Sequence, residues 1–192
     1  YLVKHVHELP KILKSAFYIA QSGRPGPVVI DVPKDIQQQI CAEPYPDKID
    51  IRSYKPTLKG HPQQIKKAAG MIAAARRPVI YAGGGVVTSG ASEELRTLAD
   101  TADIPVTTTL MGLGAYPETE EKSLKMLGMH GTAYANYAVQ KCDLLIAIGA
   151  RFDDRVTGKL DKFASKSKII HIDIDPTSIQ KNVKVDLPVV GD

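Results

Sequence analysis

The sequence contains no tryptophan, only two cysteines and no apolar run near the roughly 20 residues that a membrane-spanning helix needs. Cys41 and Cys142 lie far apart, so no C-x-x-C motif or zinc-site spacing is present. The five histidines form no H-x-x-x-H pair. We therefore expect a cytoplasmic protein with reduced thiols, without a membrane partner and without metal ligands in this chain.

A strong net charge is also missing. The sequence has 25 Lys and Arg against 21 Asp and Glu, a net charge of +4 that is spread along the chain. No basic run with interleaved aromatic residues occurs, so we do not expect a nucleic-acid partner. The sequence also lacks a Ser-His-Asp set and a nucleophile elbow. We therefore predict binding residues but no catalytic residues.

The pattern of residues changes twice along the chain. Residues 1–34 hold an amphipathic helix, "ELPKILKSAFYIAQSG", and a β-branched strand, "GPVVIDVP", which cannot bury both their faces alone. Residues 35–61 are rich in proline and lack periodicity, which is typical of a linker. The chain starts without Met at Tyr1. We expect a fragment with the end of one domain at 1–34, a linker at 35–61 and a second domain at 62–192.

Helices and strands alternate from residue 62 onwards. The predicted strands are mostly apolar throughout, which indicates a parallel sheet covered on both faces. They are "PVIYAG", "IPVTTT", "DLLIAIG", "KIIHIDID" and "LPVVGD". Helices are predicted between them, including a short one near 176–182. The fold class is therefore α/β, a doubly wound parallel sheet of five or six strands, with a helix–strand remnant before it.

Four loops follow the carboxyl ends of predicted strands, at residues 82–90, 108–114, 149–158 and 172–178. Ligands of doubly wound sheets bind outside these strand ends. The first loop, "AGGGVVTSG", has glycines that could bring backbone N–H groups close to a phosphate, with a simple turn as the alternative. It is neither G-x-G-x-x-G nor a P-loop, which disfavours a standard NAD site.

The other loops contain charged or small residues at strand ends. Asp173 is a candidate for ribose hydroxyls, whereas Asp175 is expected to cap the helix after Pro176. Arg151 and Arg155 could grip a phosphate or carboxylate, with Asp153 and Asp154 holding the guanidinium groups in place. Mutual neutralisation at the surface remains an alternative for this cluster.

The segment "MLGMHGTAYANYA" places His130 and Gly131 before a helix of small residues. Close backbone approach at Gly131 and Ala133 would suit a large planar ligand, while a purely structural His130 is an equal alternative.

Six motifs taken together resemble the acetohydroxyacid synthase family, also called acetolactate synthase, in its catalytic large subunit. They are "SGRPGPVVIDVPKD", "PVIYAGGG", "TTTLMGLGAYP", "MLGMHGTAYANYAV", "GARFDDRVTGKL" and "IIHIDIDP". The resemblance covers nearly the whole chain. The fourth and fifth motifs are specific to that family, and the first is shared among thiamine-diphosphate enzymes of the pyruvate oxidase type.

The resemblance implies a subunit of three α/β domains, of which the middle one binds FAD and the outer two carry thiamine diphosphate with Mg²⁺. It implies condensation of two 2-keto acids with decarboxylation, either two pyruvates or pyruvate and 2-ketobutyrate, in branched-chain amino-acid biosynthesis. FAD would be structural. A regulatory small subunit and a homodimer or homotetramer are also implied. The motifs for thiamine activation and magnesium are absent here, so we expect this chain to be inactive alone.

The resemblance also assigns roles to residues. The substrate channel, where inhibitors of the family bind, would include Lys34, Asp154 and Arg155. FAD would be contacted by Arg24, Gly83, Gly84, Gly85, Thr109, Leu110, Met111, His130, Gly131, Ala133, Gly149, Ala150, Arg151, Asp153, Arg155, Val156, Asp173, Ile174, Gly191 and Asp192. Two alternatives stay open: the middle domain of a pyruvate oxidase-like flavoenzyme with redox-active FAD, and a non-catalytic nucleotide-binding module.

Overall fold

The computed structural model describes residues 1–192. The chain divides into two compact units, Tyr1–Pro56 and Thr57–Asp192. The boundary between them falls within the predicted linker at 35–61. None of the helices combines the length and the apolar character needed to cross a membrane.

The first unit is built around one amphipathic helix. A short 3-10 helix at Val6–Glu8 leads into α1 at Leu9–Gln21, and α2 follows at Lys34–Gln37. Proline in the first turn of α1 leaves no hydrogen bond unmade, because the first N–H groups of a helix lack intrahelical partners. The predicted helix is confirmed.

The predicted strand at 26–33 is wrong. This segment makes only an isolated parallel bridge between Asp31 and Leu2. Its hydrogen bonds run from Val3 N–H to the Asp31 carbonyl, 2.9 Å, and from Asp31 N–H to the Tyr1 carbonyl, 2.8 Å. A β-branched sequence forms a strand only where a neighbouring strand offers a ladder, and here the pairing with the first three residues stops at one bridge.

The second unit contains a six-stranded sheet with helices on both sides. The sheet is parallel throughout, in the order β3-β2-β1-β4-β5-β6, so the predicted doubly wound fold is confirmed. Its strands are β1 Pro78–Ala82, β2 Val106–Thr108, β3 Ser123–Met126, β4 Leu144–Ile148, β5 Lys168–Asp173 and β6 Leu187–Val190. The helices are α3 Pro62–Ala74, α4 Gly84–Thr88, α5 Ser92–Thr101, α6 Ala133–Lys141 and α7 Asp154–Thr157.

Two hydrophobic cores cover the two faces of the sheet. Alternate residues of the central strands enter alternate cores, so Ile80 and Ile146 pack with Leu95 of α5 on one face. On the other face Leu145 packs with Val139 of α6. Central strands buried on both faces explain why their sequences are apolar at nearly every position.

The second unit differs from the sequence analysis in one strand and one helix. The strand β3 was not predicted, because it is a short edge strand with no fully buried residue. The predicted helix near 176–182 does not form, and the segment makes turns instead. The Asp175 carboxylate accepts hydrogen bonds from the Thr177 N–H, 2.9 Å, and from the hydroxyls of Thr177 and Ser178. Gln180 has φ +60°, a left-handed conformation that ends any right-handed helix.

Candidate cofactor-binding site

The strand order reverses between β1 and β4, which makes the carboxyl ends of these strands the expected ligand crevice. The loops after β1 and β4 are in direct backbone contact there. Gly83 N–H donates to the Ile148 carbonyl, 2.9 Å, and Gly85 N–H donates to the Gly149 carbonyl, 3.0 Å. A Cβ on Gly85 would lie 2.6 Å from Gly149 Cα. Close packing of the two loops therefore requires glycine here, whether or not a phosphate binds.

The loop after β2 folds over the end of β1. Thr109 N–H donates to the Ala82 carbonyl, 2.9 Å, and the Thr109 hydroxyl accepts from Gly112 N–H, 2.9 Å. This fold leaves the side chains of Leu110 and Met111 68% and 77% exposed. Exposed apolar residues beside a crevice are suited to the face of an aromatic ring.

The loop after β3 is held by a residue that sequence reasoning missed. The Asn136 amide group donates to the carbonyls of Gly128, 3.1 Å, and Thr132, 2.9 Å, and accepts from Gly128 N–H, 3.3 Å. The Met129 N–H donates to the Arg155 carbonyl, 2.9 Å, which ties this loop to the one after β4.

Two predicted residues of this β3 loop differ in their surroundings. His130 is exposed, and a Cβ on Gly131 would clash with the Met126 carbonyl. Gly131 is thus required by the packing of its own loop, and its contact with a ligand stays a prediction.

The loop after β4 carries the charged cluster. The Arg151 guanidinium lies 4.0 Å from the Asp153 carboxylate, and both side chains are about half exposed. The carboxylates of Asp153 and Asp154 both accept from Arg155 N–H, at 3.4 and 2.9 Å. The aspartates therefore hold the loop backbone more than they hold the guanidinium groups.

The surroundings of Asp153 favour its ionised form. The pKa of Asp153 lies below its usual value, first because of a hydrogen bond with the Asp154 side chain and then because of the Arg155 N–H and the Arg151 charge. The loop therefore presents one anchored anion beside a cation that reaches solvent.

Asp173, the last residue of β5, and Asp175 just after it have different roles. Asp173 is buried, and its Oδ1 accepts from Asp175 N–H, 2.8 Å. Its Oδ2 lies 3.8 Å from Nε2 of His171. Asp175, by contrast, is engaged by its own turn and not by the helix that it was predicted to cap. The Gly191 N–H donates to the Asp173 carbonyl, 3.2 Å, which brings the predicted contact at the end of β6 next to Asp173.

A cavity of about 230 Å³ lies between the loops after β4 and β5. Its lining includes two residues that were not predicted, Lys181 and Asn182, beside Arg151 and Asp153. A larger cavity of about 610 Å³ lies at the opposite edge, where β4 and β6 begin, and is lined in part by Lys67 and Asp186. We favour the smaller one as part of the site, because ligands of such sheets bind at the carboxyl edge.

The structure thus brings the four predicted loops to one edge of one sheet. Arg24 and Lys34 belong to the first unit, Tyr1–Pro56, and their part in the site stays a prediction.

Comparison with protein families matches residues 65–192 to the "Thiamine pyrophosphate enzyme, central domain" family. The chain belongs to this family. An X-ray structure described as "a putative thiamin diphosphate-dependent enzyme isolated from Mycobacterium smegmatis" shares the fold, with a TM-score of 0.79 and 22% identity. That likeness covers 100% of this chain and 36% of the other.

Two curated relatives are acetolactate synthase large subunits by name. The chain is 58% identical to the "Probable acetolactate synthase large subunit" of Methanocaldococcus jannaschii over 99% of its own length and 33% of the relative's. It is 51% identical to the "Acetolactate synthase large subunit" of Haemophilus influenzae over 100% of its length and 34% of the relative's. The resemblance predicted from the motifs is confirmed, and the chain spans about a third of the length of these relatives.

Proposed function

We propose that this chain is the FAD-binding middle domain, with the adjoining end of the first domain, of an acetolactate synthase large subunit. The identity of 51–58% to such subunits along the whole chain carries this proposal. The whole protein would condense two 2-keto acids with decarboxylation in the cytoplasm, as a homodimer or homotetramer with a regulatory small subunit.

FAD fits the residues at the carboxyl edge. The solvent-reaching guanidinium of Arg151 suits a diphosphate, and the Asp173 carboxylate suits ribose hydroxyls. Leu110, Met111 and Met129 expose apolar side chains that suit the flavin ring. The Thr108 hydroxyl, at the end of β2, is buried without a hydrogen-bond partner. These donors, acceptors and apolar surfaces are the ones that a flavin dinucleotide requires.

FAD would supply no redox step in this reaction and would stabilise the domain. Thiamine diphosphate and Mg²⁺ would be held outside this chain, which carries no motif for either, so the chain alone is expected to be inactive. Lys34, Asp154 and Arg155 would line the channel that admits the keto acids.

The test is an FAD titration, by flavin fluorescence, of the full polypeptide that carries this chain. Arg151→Ala and Asp173→Ala are each expected to weaken binding by about tenfold, since each removes one charge-assisted contact. Arg96→Ala and Asp161→Ala are the matched controls. Arg96 and Asp161 are exposed, in α5 and after α7, and pair with Glu120 and Lys159 respectively.

Two results would overturn the proposal. One is FAD binding that is unaffected by the two site variants. The other is a flavin that pyruvate bleaches under anaerobic conditions, because bleaching would indicate a redox flavoenzyme of the pyruvate oxidase kind.

A further inference from the structure

The backbone on both sides of Arg151 is held by side chains from elsewhere in the fold. Nε2 of His171, in β5, lies 2.9 Å from the Ala150 carbonyl. Nδ2 of Asn182 donates to the Phe152 carbonyl, 2.7 Å. We propose that His171 and Asn182 are positioning residues that fix the direction of the Arg151 guanidinium for the cofactor, an inference that rests on the proposed function.

The contacts of Arg151 itself do not fix its direction. Its only ion pair, with Asp153, is at 4.0 Å, and its side chain is 59% exposed. A long, half-exposed side chain with one weak partner samples several rotamers. The path of the backbone therefore decides where the guanidinium can reach, and hydrogen bonds to the neighbouring carbonyls decide that path.

His171 acts as a donor in a dry environment. It is fully buried, and its ring lies edge-on against Phe152 at 5.1 Å. A carbonyl can only accept, so Nε2 facing the Ala150 carbonyl carries the proton. Nδ1 has no hydrogen-bond partner. A proton on Nε2 is therefore what this contact requires.

A weaker third contact acts on the same turn. The Tyr81 hydroxyl lies 3.5 Å from the Arg151 carbonyl, and its ring packs against Phe152. Burial, together with the Asp153 charge, raises the pKa of Tyr81, so its hydroxyl stays protonated and can donate. The carbonyls of residues 150, 151 and 152 are thus held by β5, by β1 and by the segment after β5, in that order.

The first test measures FAD affinity in the full polypeptide. His171→Leu fills a similar volume without a donor, and we expect binding to weaken by about tenfold, the scale of one buried hydrogen bond. His171→Gln places an N–H at similar reach and should restore most of the affinity. Asn182→Ala should weaken binding several-fold. Gln180→Gly is the control, since the Gln180 side chain donates its hydrogen bond to the Val185 carbonyl in the same segment and not to the loop after β4.

A double-variant cycle separates positioning from general destabilisation. If His171 acts through Arg151, the effect of His171→Leu should fall below about twofold when Arg151 is already Ala. An undiminished tenfold effect in the Arg151→Ala protein would overturn the inference. Asn182→Ala provides the same cycle at an exposed position, in case His171→Leu does not fold.

Hydrogen exchange of the FAD-free protein provides a measurement that does not need the cofactor. His171→Leu and Asn182→Ala should each speed exchange at amides 151–156 by about tenfold while leaving the β1 amides unchanged. Unchanged exchange at 151–156 would overturn the inference. Because no FAD is involved, a protein that binds no FAD would refute the proposed function while this measurement still decides the positioning role.

Discussion

Gly85→Ala tests whether the glycines after β1 serve the contact between loops or a phosphate. Gly85 lies inside the short helix α4 and has no positive φ, so the backbone alone would favour alanine by about 1 kcal/mol. The new Cβ would, however, lie 2.6 Å from Gly149 Cα and 3.1 Å from the Gly149 carbonyl oxygen. Both neighbours are backbone atoms and cannot move as a flexible side chain would.

This clash determines whether Gly85→Ala lowers or raises the free energy of unfolding. Overpacking of this kind costs about 1–3 kcal/mol, and as both groups are backbone we take the upper half of that range. Subtracting the helical gain leaves a net loss of about 1–2 kcal/mol in the free energy of unfolding. Gly70→Ala is the matched control, because Gly70 lies in helix α3 and a Cβ there would meet nothing within 4 Å. It should stabilise the protein by about 0.5–1 kcal/mol.

The assay is urea unfolding of the FAD-free protein, with both variants beside the wild type. We expect opposite shifts of the two midpoints. Equal stabilisation by both alanines would refute the loop-packing explanation. A Gly85→Ala protein of wild-type stability that had lost FAD binding would instead show that the glycine is required for approach of the phosphate.

Three further predictions concern stability and reactivity. Gln180→Gly should leave the free energy of unfolding within about 0.5 kcal/mol of wild type, because relief of the φ of +60° offsets the lost hydrogen bond from the Gln180 amide to the Val185 carbonyl; a loss above about 1 kcal/mol in thermal unfolding would contradict this. Cys41 is exposed, whereas burial raises the pKa of the Cys142 thiol, so a thiol reagent at pH 8 should modify one cysteine in the folded protein and two in urea. The pKa of Asp143 is lowered, chiefly by the Arg76 N–H, so its contribution to stability is present above the unfolded pKa and is lost as pH falls through the folded one. The stability difference between wild type and Asp143→Asn should therefore shrink in acid, and a difference independent of pH would contradict this.

The elements that the sequence predicted well are those whose signal is local. The amphipathic period of α1 and the apolar runs of β1, β4 and β5 reflect burial on one or both faces, and each formed as expected. The sequence predicts a helix near 176–182 that Asp175 caps, but this carboxylate caps a turn instead. Whether such a cap begins a helix depends on later residues, here Gln180 in a left-handed conformation.

The site residues also divide into those that a local sequence pattern predicts and those that it does not. Loops at strand ends could be predicted because parallel strands share one carboxyl edge. His171 and Asn182 could not, since their partners Ala150 and Phe152 lie 21 and 30 residues away and only the folded sheet brings them together. The sequence reveals the glycines but does not distinguish a glycine that admits a ligand from one that admits a neighbouring loop.

The most direct measurement is a crystal structure of the full polypeptide grown with FAD. We expect electron density for the dinucleotide along the carboxyl edge of the sheet, with its diphosphate at Arg151 and a ribose at Asp173. Density in the larger cavity at the opposite edge, beside Lys67 and Asp186, would contradict it.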